Sequence, residues 1–175
     1  MDMLYIFYLV TTLYLIPLFV IFRYFWRKEM DIQQNSTEST QGVVVDYKSW
    51  TGVKTPIVEY VVDNIKYRNF LSYSTHISAP LGMDYPREKE ELRKTLLILT
   101  VIYNVNTLPY SFQSLWPLGT EMTVYYNPNN PKRSYVERYA GMVNYFKNAT
   151  LLCGSAQVIL TLIVVGISLF RLLNA

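Results

Sequence analysis

The sequence predicts a membrane protein with two transmembrane α-helices flanking a small, mostly-β (α+β) soluble domain. Three observations lead there. Two charge-free apolar runs lie near the chain ends, strand-like alternation fills the stretch between them, and a compact turn in "TVYYNPNNPKRSYV" holds two prolines and three asparagines. The apolar runs are Met3 to Phe22 and Ala149 to Phe170. A helix of roughly 20 residues crosses a hydrocarbon core of about 30 Å, so each run is long enough.

A cleaved signal peptide is the alternative for the first run. Asp2 is the only charged side chain before it, the run is longer than an ordinary signal core, and no small-residue cleavage site follows. An uncleaved anchor is expected. For the second run the alternative is a buried core helix, but the intervening material is too small and too polar to wrap it. The expected organisation is residues 3–25 as the first membrane helix and 26–41 as a polar linker. A β-rich domain over 42–140 carries a helical insertion near 85–104, and the second membrane helix covers 149–171.

Within the first helix Pro17 is tolerated in lipid, and "RYFWRK", Arg23 to Lys28, mixes rings and cations as an interfacial anchor does. "GVVVDYKSW" alternates, with Val43, Val45 and Tyr47 expected on one face. "PIVEYVVDNIKYRNF" reads as strand, Asp63-Asn64 turn, strand, because Asp and Asn tolerate the left-handed backbone of a tight hairpin. From Tyr85 the chain reads as a helix start, with Glu90 and Lys94 spaced as an i,i+4 pair. Leu96 to Tyr103 is apolar on all sides and suits either a buried helix continuation or a core strand. Met122, Val124 and Tyr126 alternate as one strand face. Asn127, Pro128, Asn130 and Pro131 then form a structural turn with Tyr126, in which Pro131 prevents the strand from continuing.

The order of these features resembles a known family. "G-x-V-V" at Gly42 to Val45, "P-I-V-E-Y" from Pro56 and "G-x-x-x-T-V-Y-Y-N-P-x-N-P-x-x-S" from Gly119 to Ser134 lie between two apolar helices. This is similar to the small, mostly bacterial membrane proteins grouped as domain of unknown function 3592, over about Gly42 to Val136 and the flanking helices. Tyr85 to Asn106 departs as an insertion. The resemblance implies a fold and a setting in the bacterial plasma (inner) membrane, and no reaction.

Chemistry is sparse. A net charge of +3 without a basic stripe argues against nucleic-acid binding. Cys153 is the only cysteine, so neither an intrachain disulfide nor a cysteine zinc site can form. His76, the only histidine, stands in a polar loop sequence without a recognisable nucleophile partner. The mixed charges from Arg87 to Lys94 read as a solvated helix face, and no acid accompanies the asparagines of the turn as a calcium site requires. No catalytic, metal-binding or cofactor-binding residue is assigned, no cofactor is expected, and the protein is expected not to be an enzyme. In the second helix Gly154, Ser155 and Gln157, with Thr11 and Thr12 in the first, suit helix pairing.

The expectation is a protein-interaction or regulatory module displayed by the β-domain. Alternatives are a membrane immunity or stress protein that binds an inserted toxin, and an enzyme or transporter accessory. Expected partners are the lipid bilayer and a protein that the sequence does not identify, with a homo-oligomer left open. Arg23, Arg27, Lys28, Arg138 and Lys147 flank the runs on the domain side, against Arg171 on the side of the termini. The excess of cations places the domain in the cytoplasm.

Overall fold

The computed structural model describes residues 3–50, 53–73, 75–76, 84–102 and 107–174. In chain order the first elements are α1 (Met3–Asn35), β1 (Glu38–Trp50), β2 (Val53–Val62), β3 (Ile65–Phe70) and β4 (Thr75–His76). There follow α2 (Lys89–Ile98), β5 (Val101–Ile102), α3 (Phe112–Leu115), β6 (Glu121–Asn127), β7 (Asn130–Val136) and α4 (Val143–Leu173). The chain divides into two compact units, Met1–Met30 with Met142–Ala175, and Asp31–Gly141.

The first unit is an antiparallel helix pair, since ascending positions of α1 meet descending positions of α4. Tyr5 meets Ser168, Tyr8 meets Thr161 and Thr12 meets Gln157. Phe22 and Phe25 then lie against Phe146, at ring separations of 6.4 and 5.3 Å. Both helices are long and apolar enough to cross a membrane by length and composition. Away from the contact their apolar side chains are exposed, among them Leu9, Leu13, Leu152 and Leu162.

Residues 26–41 are not a linker. The helix runs on to Asn35 and the first strand begins at Glu38. Glu, Met and Gln are good helix formers, so polarity alone does not end a helix, and Asn35 Nδ2 donates to Asp31 Oδ1 one turn back at 2.7 Å. Glu38 to Val43 become strand because they pair with Tyr126 to Glu121 of β6. Likewise α4 starts at Val143, ahead of the apolar run that begins at Ala149.

The second unit is built on a five-stranded antiparallel sheet in the order β3-β2-β1-β6-β7. Asp63 and Asn64 have φ of 51° and 62°, the left-handed pair that a two-residue hairpin with native twist demands. The predicted hairpin therefore forms between β2 and β3.

β1 behaves differently from its expected alternation. Its register against β2 slips between Val44 and Asp46, so Val45 is an inserted bulge residue and the facing flips there. Val44 is buried while Val43 and Val45 are exposed. Tyr47 returns to the inner side, where its hydroxyl donates to Trp116 O at 2.8 Å. A simple period of two could not group these residues correctly, because the bulge adds one residue to the count.

The inner face gathers Val58, Tyr60, Met122, Val124 and Val136, with Leu92, Leu96, Ile102, Leu115 and Trp116 from the connecting elements. The ambiguous apolar run is thus divided. Helix α2 carries Leu96 into the core and ends after Ile98, and Val101–Ile102 form a short strand parallel to β4. Tyr103 lies outside the described residues, as do residues 104–106 of the insertion. Glu90 and Lys94 are both exposed and do not meet, so α2 has a solvated polar face without that ion pair.

Gly42 sits where β1 is flanked on both sides, by Tyr60 of β2 and Met122 of β6. A Cβ there would come within 2.5 Å of Val58 Cγ1 and 2.9 Å of Glu59 O. Backbone cannot yield as a side-chain tip can. Gly42→Ala is therefore expected to destabilise the domain by about 1–3 kcal/mol, the usual range for overpacking. Thermal unfolding of the purified chain reads this, and an unchanged midpoint would show that the site has room.

Candidate interaction surface

The asparagine-proline turn joins β6 to β7. Asn127 Oδ1 accepts from Asn129 N at 2.9 Å, so the side chain closes the loop locally, and Asn127 pairs with Asn130 across it. Pro128 is exposed at the bend. Pro131 does not keep strand structure from resuming: it is the second residue of β7, and its carbonyl accepts from the Tyr60 hydroxyl at 2.6 Å. That phenol also lies 2.8 Å from Ser134 Oγ, and Asn69 Nδ2 donates to Ser134 O and Oγ at 2.7 and 2.8 Å. Asn69 is on edge strand β3 and Ser134 on edge strand β7. The turn thus ends in a network that draws the two sheet edges together.

The same hairpin holds the junction between α1 and β1. Arg133 is ion-paired to Asp31, Ser36 Oγ donates to Arg133 O at 3.4 Å, and the Tyr126 hydroxyl donates to Glu38 Oε2 at 2.8 Å. Arg133 holds the Asp31 carboxyl below its ordinary value of 3.8, helped by Asn35 and Asn127 and opposed by partial burial. Glu38 raises the Tyr126 phenol in turn.

Residues 99–141 match the family model described as Domain of unknown function (DUF3592). No curated protein and no solved structure matches the chain. The DUF3592 match covers the turn, both strands of its hairpin and Arg138, so it takes in the C-terminal part of the resemblance read from Gly42 to Val136.

In the sequence Arg138 reads only as one of the cations flanking the apolar runs, and nothing there signals the contacts it makes. Glu137 adopts φ 58°, an uncommon left-handed conformation outside glycine, and its Oε1 accepts from Thr123 N at 2.9 Å. Beyond this bend Arg138 donates to Leu99 O at 2.7 Å and Ser72 O at 2.9 Å, with its guanidinium 4.4 Å from the Tyr73 ring centroid. Burial disfavours its charge, and the same burial raises the Tyr73 phenol. The cation therefore organises the end of the DUF3592 segment. It satisfies carbonyls of two other segments.

The outer face of the sheet is polar on one side and aromatic on the other. On β2 and β3, Glu59 accepts from Lys66 and Arg68 at 3.0 and 2.9 Å, and these partners, Lys66 first, lower its carboxyl. Lys48 Nζ stands 3.8 Å from the Phe70 ring centroid. On β6 and β7, Tyr125 stacks on Tyr135 at 5.1 Å, and Tyr139 meets Tyr135 edge to face at 5.9 Å. Val43, 40% exposed, lies between the two halves on β1, and Val61 is 48% exposed. This tyrosine ladder is the aromatic surface most suited to another protein.

Of the helix-pairing residues, Gln157 Nε2 donates to Thr12 Oγ1 at 2.9 Å. Gly154 faces the Phe19 ring, where an added Cβ would stand 3.2 Å from the ring edge. Ser155 does not join them; it is exposed and donates to Leu152 O in its own helix. Thr11 also bonds its own helix. The pattern of small and polar residues was visible in the sequence, but which face of the helix met α1 was not. His76 stands in strand β4 by its backbone, paired with Ile102, rather than in a loop, and its side chain lies outside the described residues. Among the described residues no group of three His, Cys, Asp or Glu side chains is placed to hold a metal ion.

Two outcomes follow. Asp31 has a depressed folded value, so its stabilisation is intact above pH 3.8 and is lost as the pH falls through the folded value. The thermal midpoint of the wild-type chain should fall more steeply between about pH 5 and 3 than that of Asp31→Asn, with a difference of about 1 kcal/mol or less because the pair is partly exposed. Equal slopes would remove Asp31 from the acid response. In the helix pair, Gly154→Leu should lower thermal stability by about 1–3 kcal/mol, and Phe19→Ala in the same chain should recover part of the loss. Additive losses would mean that the two positions do not meet.

Proposed function

We propose that this chain is a non-enzymatic integral membrane protein that crosses the bilayer twice and displays its sheet, from the cytoplasmic side of the bacterial plasma membrane, to a protein partner. The observation that carries the membrane part is the exposure of long apolar faces on α1 and α4. Of the most apolar windows of these helices, 0% and 6% respectively is buried. Water would make that surface costly, and lipid makes it neutral. The tyrosine ladder of β6 and β7 supports the interaction part, because aromatic side chains present large, rigid area with a polar tip.

The immunity-protein alternative needs polar side chains in the helices that are free to receive a toxin. Thr12, Gln157, Tyr8, Thr161, Tyr5 and Ser168 are already joined to one another across the pair. The sheet is therefore the better supported surface.

Sidedness and attachment are tested together. Ser36, polar in sequence, is only 7% exposed and would make a poor labelling site; Asn129 at the tip of the turn is exposed. Asn129→Cys should stay unlabelled by an impermeant maleimide in intact cells and react after permeabilisation, with the buried Cys153 silent. Labelling of intact cells would put the domain outside, and extraction of the protein without detergent would end the membrane reading. A photo-crosslinking residue at Tyr135 should give one discrete adduct in membranes. A control at exposed Lys132 should give none, and equal products at both would sink the interaction reading.

A further inference from the structure

The helix pair has a flank that collects positive charge. The partly buried positions on α1 include Tyr8, Thr12, Leu15, Phe19, Phe22, Trp26 and Glu29, which are separated alternately by four and three residues. On α4, Val143, Phe146, Thr150, Cys153 and Gln157 follow the same rule. Over this stretch each helix therefore turns one narrow face to the other. In the antiparallel arrangement, the residue just after one seam position faces the residue just after the matching position on the other helix. Phe22 and Phe146 match, as their rings show. Arg23 and Lys147 follow them, and therefore share one flank at one level.

Arg27 lies one turn beyond Arg23 and on the same side, as i,i+4 residues do. All three cations are exposed, and among the described residues none of them meets a carboxylate. Glu29, the nearest acid on α1, is turned into the seam, where it accepts from Met142 N at 3.1 Å. Lys28 falls on the opposite flank. Like charges that share one flank repel unless an anion lies among them.

We infer that this flank binds the phosphate of an anionic lipid through Arg23, Arg27 and Lys147. The site stands at the end of the exposed apolar belt, next to Val20 and Leu151, with exposed Tyr24 beside it. Rings at that position mark headgroup depth, and guanidinium groups grip phosphate oxygens in a fork. The inference rests on the membrane reading above. It adds a specific ligand class and a specific flank.

The test uses the full-length protein, purified in mild detergent and offered phosphatidylglycerol or phosphatidylcholine, with retained lipid counted by native mass spectrometry. The wild-type chain should prefer phosphatidylglycerol. Arg23→Gln, Arg27→Gln and Lys147→Gln should each reduce that preference about fivefold, while Lys28→Gln leaves it unchanged. Circular dichroism confirms that each variant keeps its helices. Equal retention of the two lipids by the wild-type chain overturns the inference, and so does a loss on Lys28→Gln equal to the others, which would indicate general charge attraction. Displacement of the lipid by inorganic phosphate would identify a soluble-anion site and also overturns it. Solubility without detergent defeats the membrane reading itself, whereas a detergent-requiring protein indifferent to lipid charge defeats only this inference.

Discussion

The sheet unit depends on β1, and β1 depends on the absence of a side chain at Gly42. One strand of thirteen residues serves two partners, β6 along its first half and β2 along its second, and both are in register at Gly42 and Val43. That overlap places the backbone of β2 where a Cβ would otherwise stand. Glycine ordinarily weakens a strand through its conformational freedom. Here close approach of the neighbouring strand outweighs that cost, because both hairpins share a single core.

Once β1 is placed, the far edges of the sheet are joined by a small network of hydrogen bonds. Strands β3 and β7 would each present unpaired backbone groups, a hazard for edge-to-edge association. Asn69, Ser134, Tyr60 and the Pro131 carbonyl bring them together instead. Tyr60 is 2% exposed, and burial raises its phenol against the lowering effect of Ser134, so it acts as a neutral hydrogen-bonding member of the core. The turn read as a local structural feature therefore has a second role. It carries the groups that tie its own strand to the opposite edge and to the α1–β1 junction.

The helix pair solves a different problem. Its apolar surface gives little preference for one face over another in an apolar medium, so packing and hydrogen bonds choose the seam. Tyr5, Tyr8 and Thr12 on α1 meet Ser168, Thr161 and Gln157 on α4, while Gly154 admits the Phe19 ring. The same facing of the two helices that joins Phe22 to Phe146 sends Arg23, Arg27 and Lys147 to one flank. Packing in the seam thus decides where the charges stand.

The sequence by itself determined the two apolar helices, the intervening β-domain, the Asp63-Asn64 hairpin and the asparagine-proline turn. Each is set by local chemistry: apolar length, side-chain alternation, left-handed tolerance and fixed proline φ. The tertiary structure alone decided the Val45 bulge, the extension of α1 through Asn35, the recruitment of Glu38 to Gln41 into a strand, and the left-handed Glu137 that directs Arg138 inward. It also decided that Gln157, and not Ser155, faces α1. These features depend on partners distant in sequence. A strand's register is set by what it pairs with, and a polar side chain's role by whether a second polar group lies within reach.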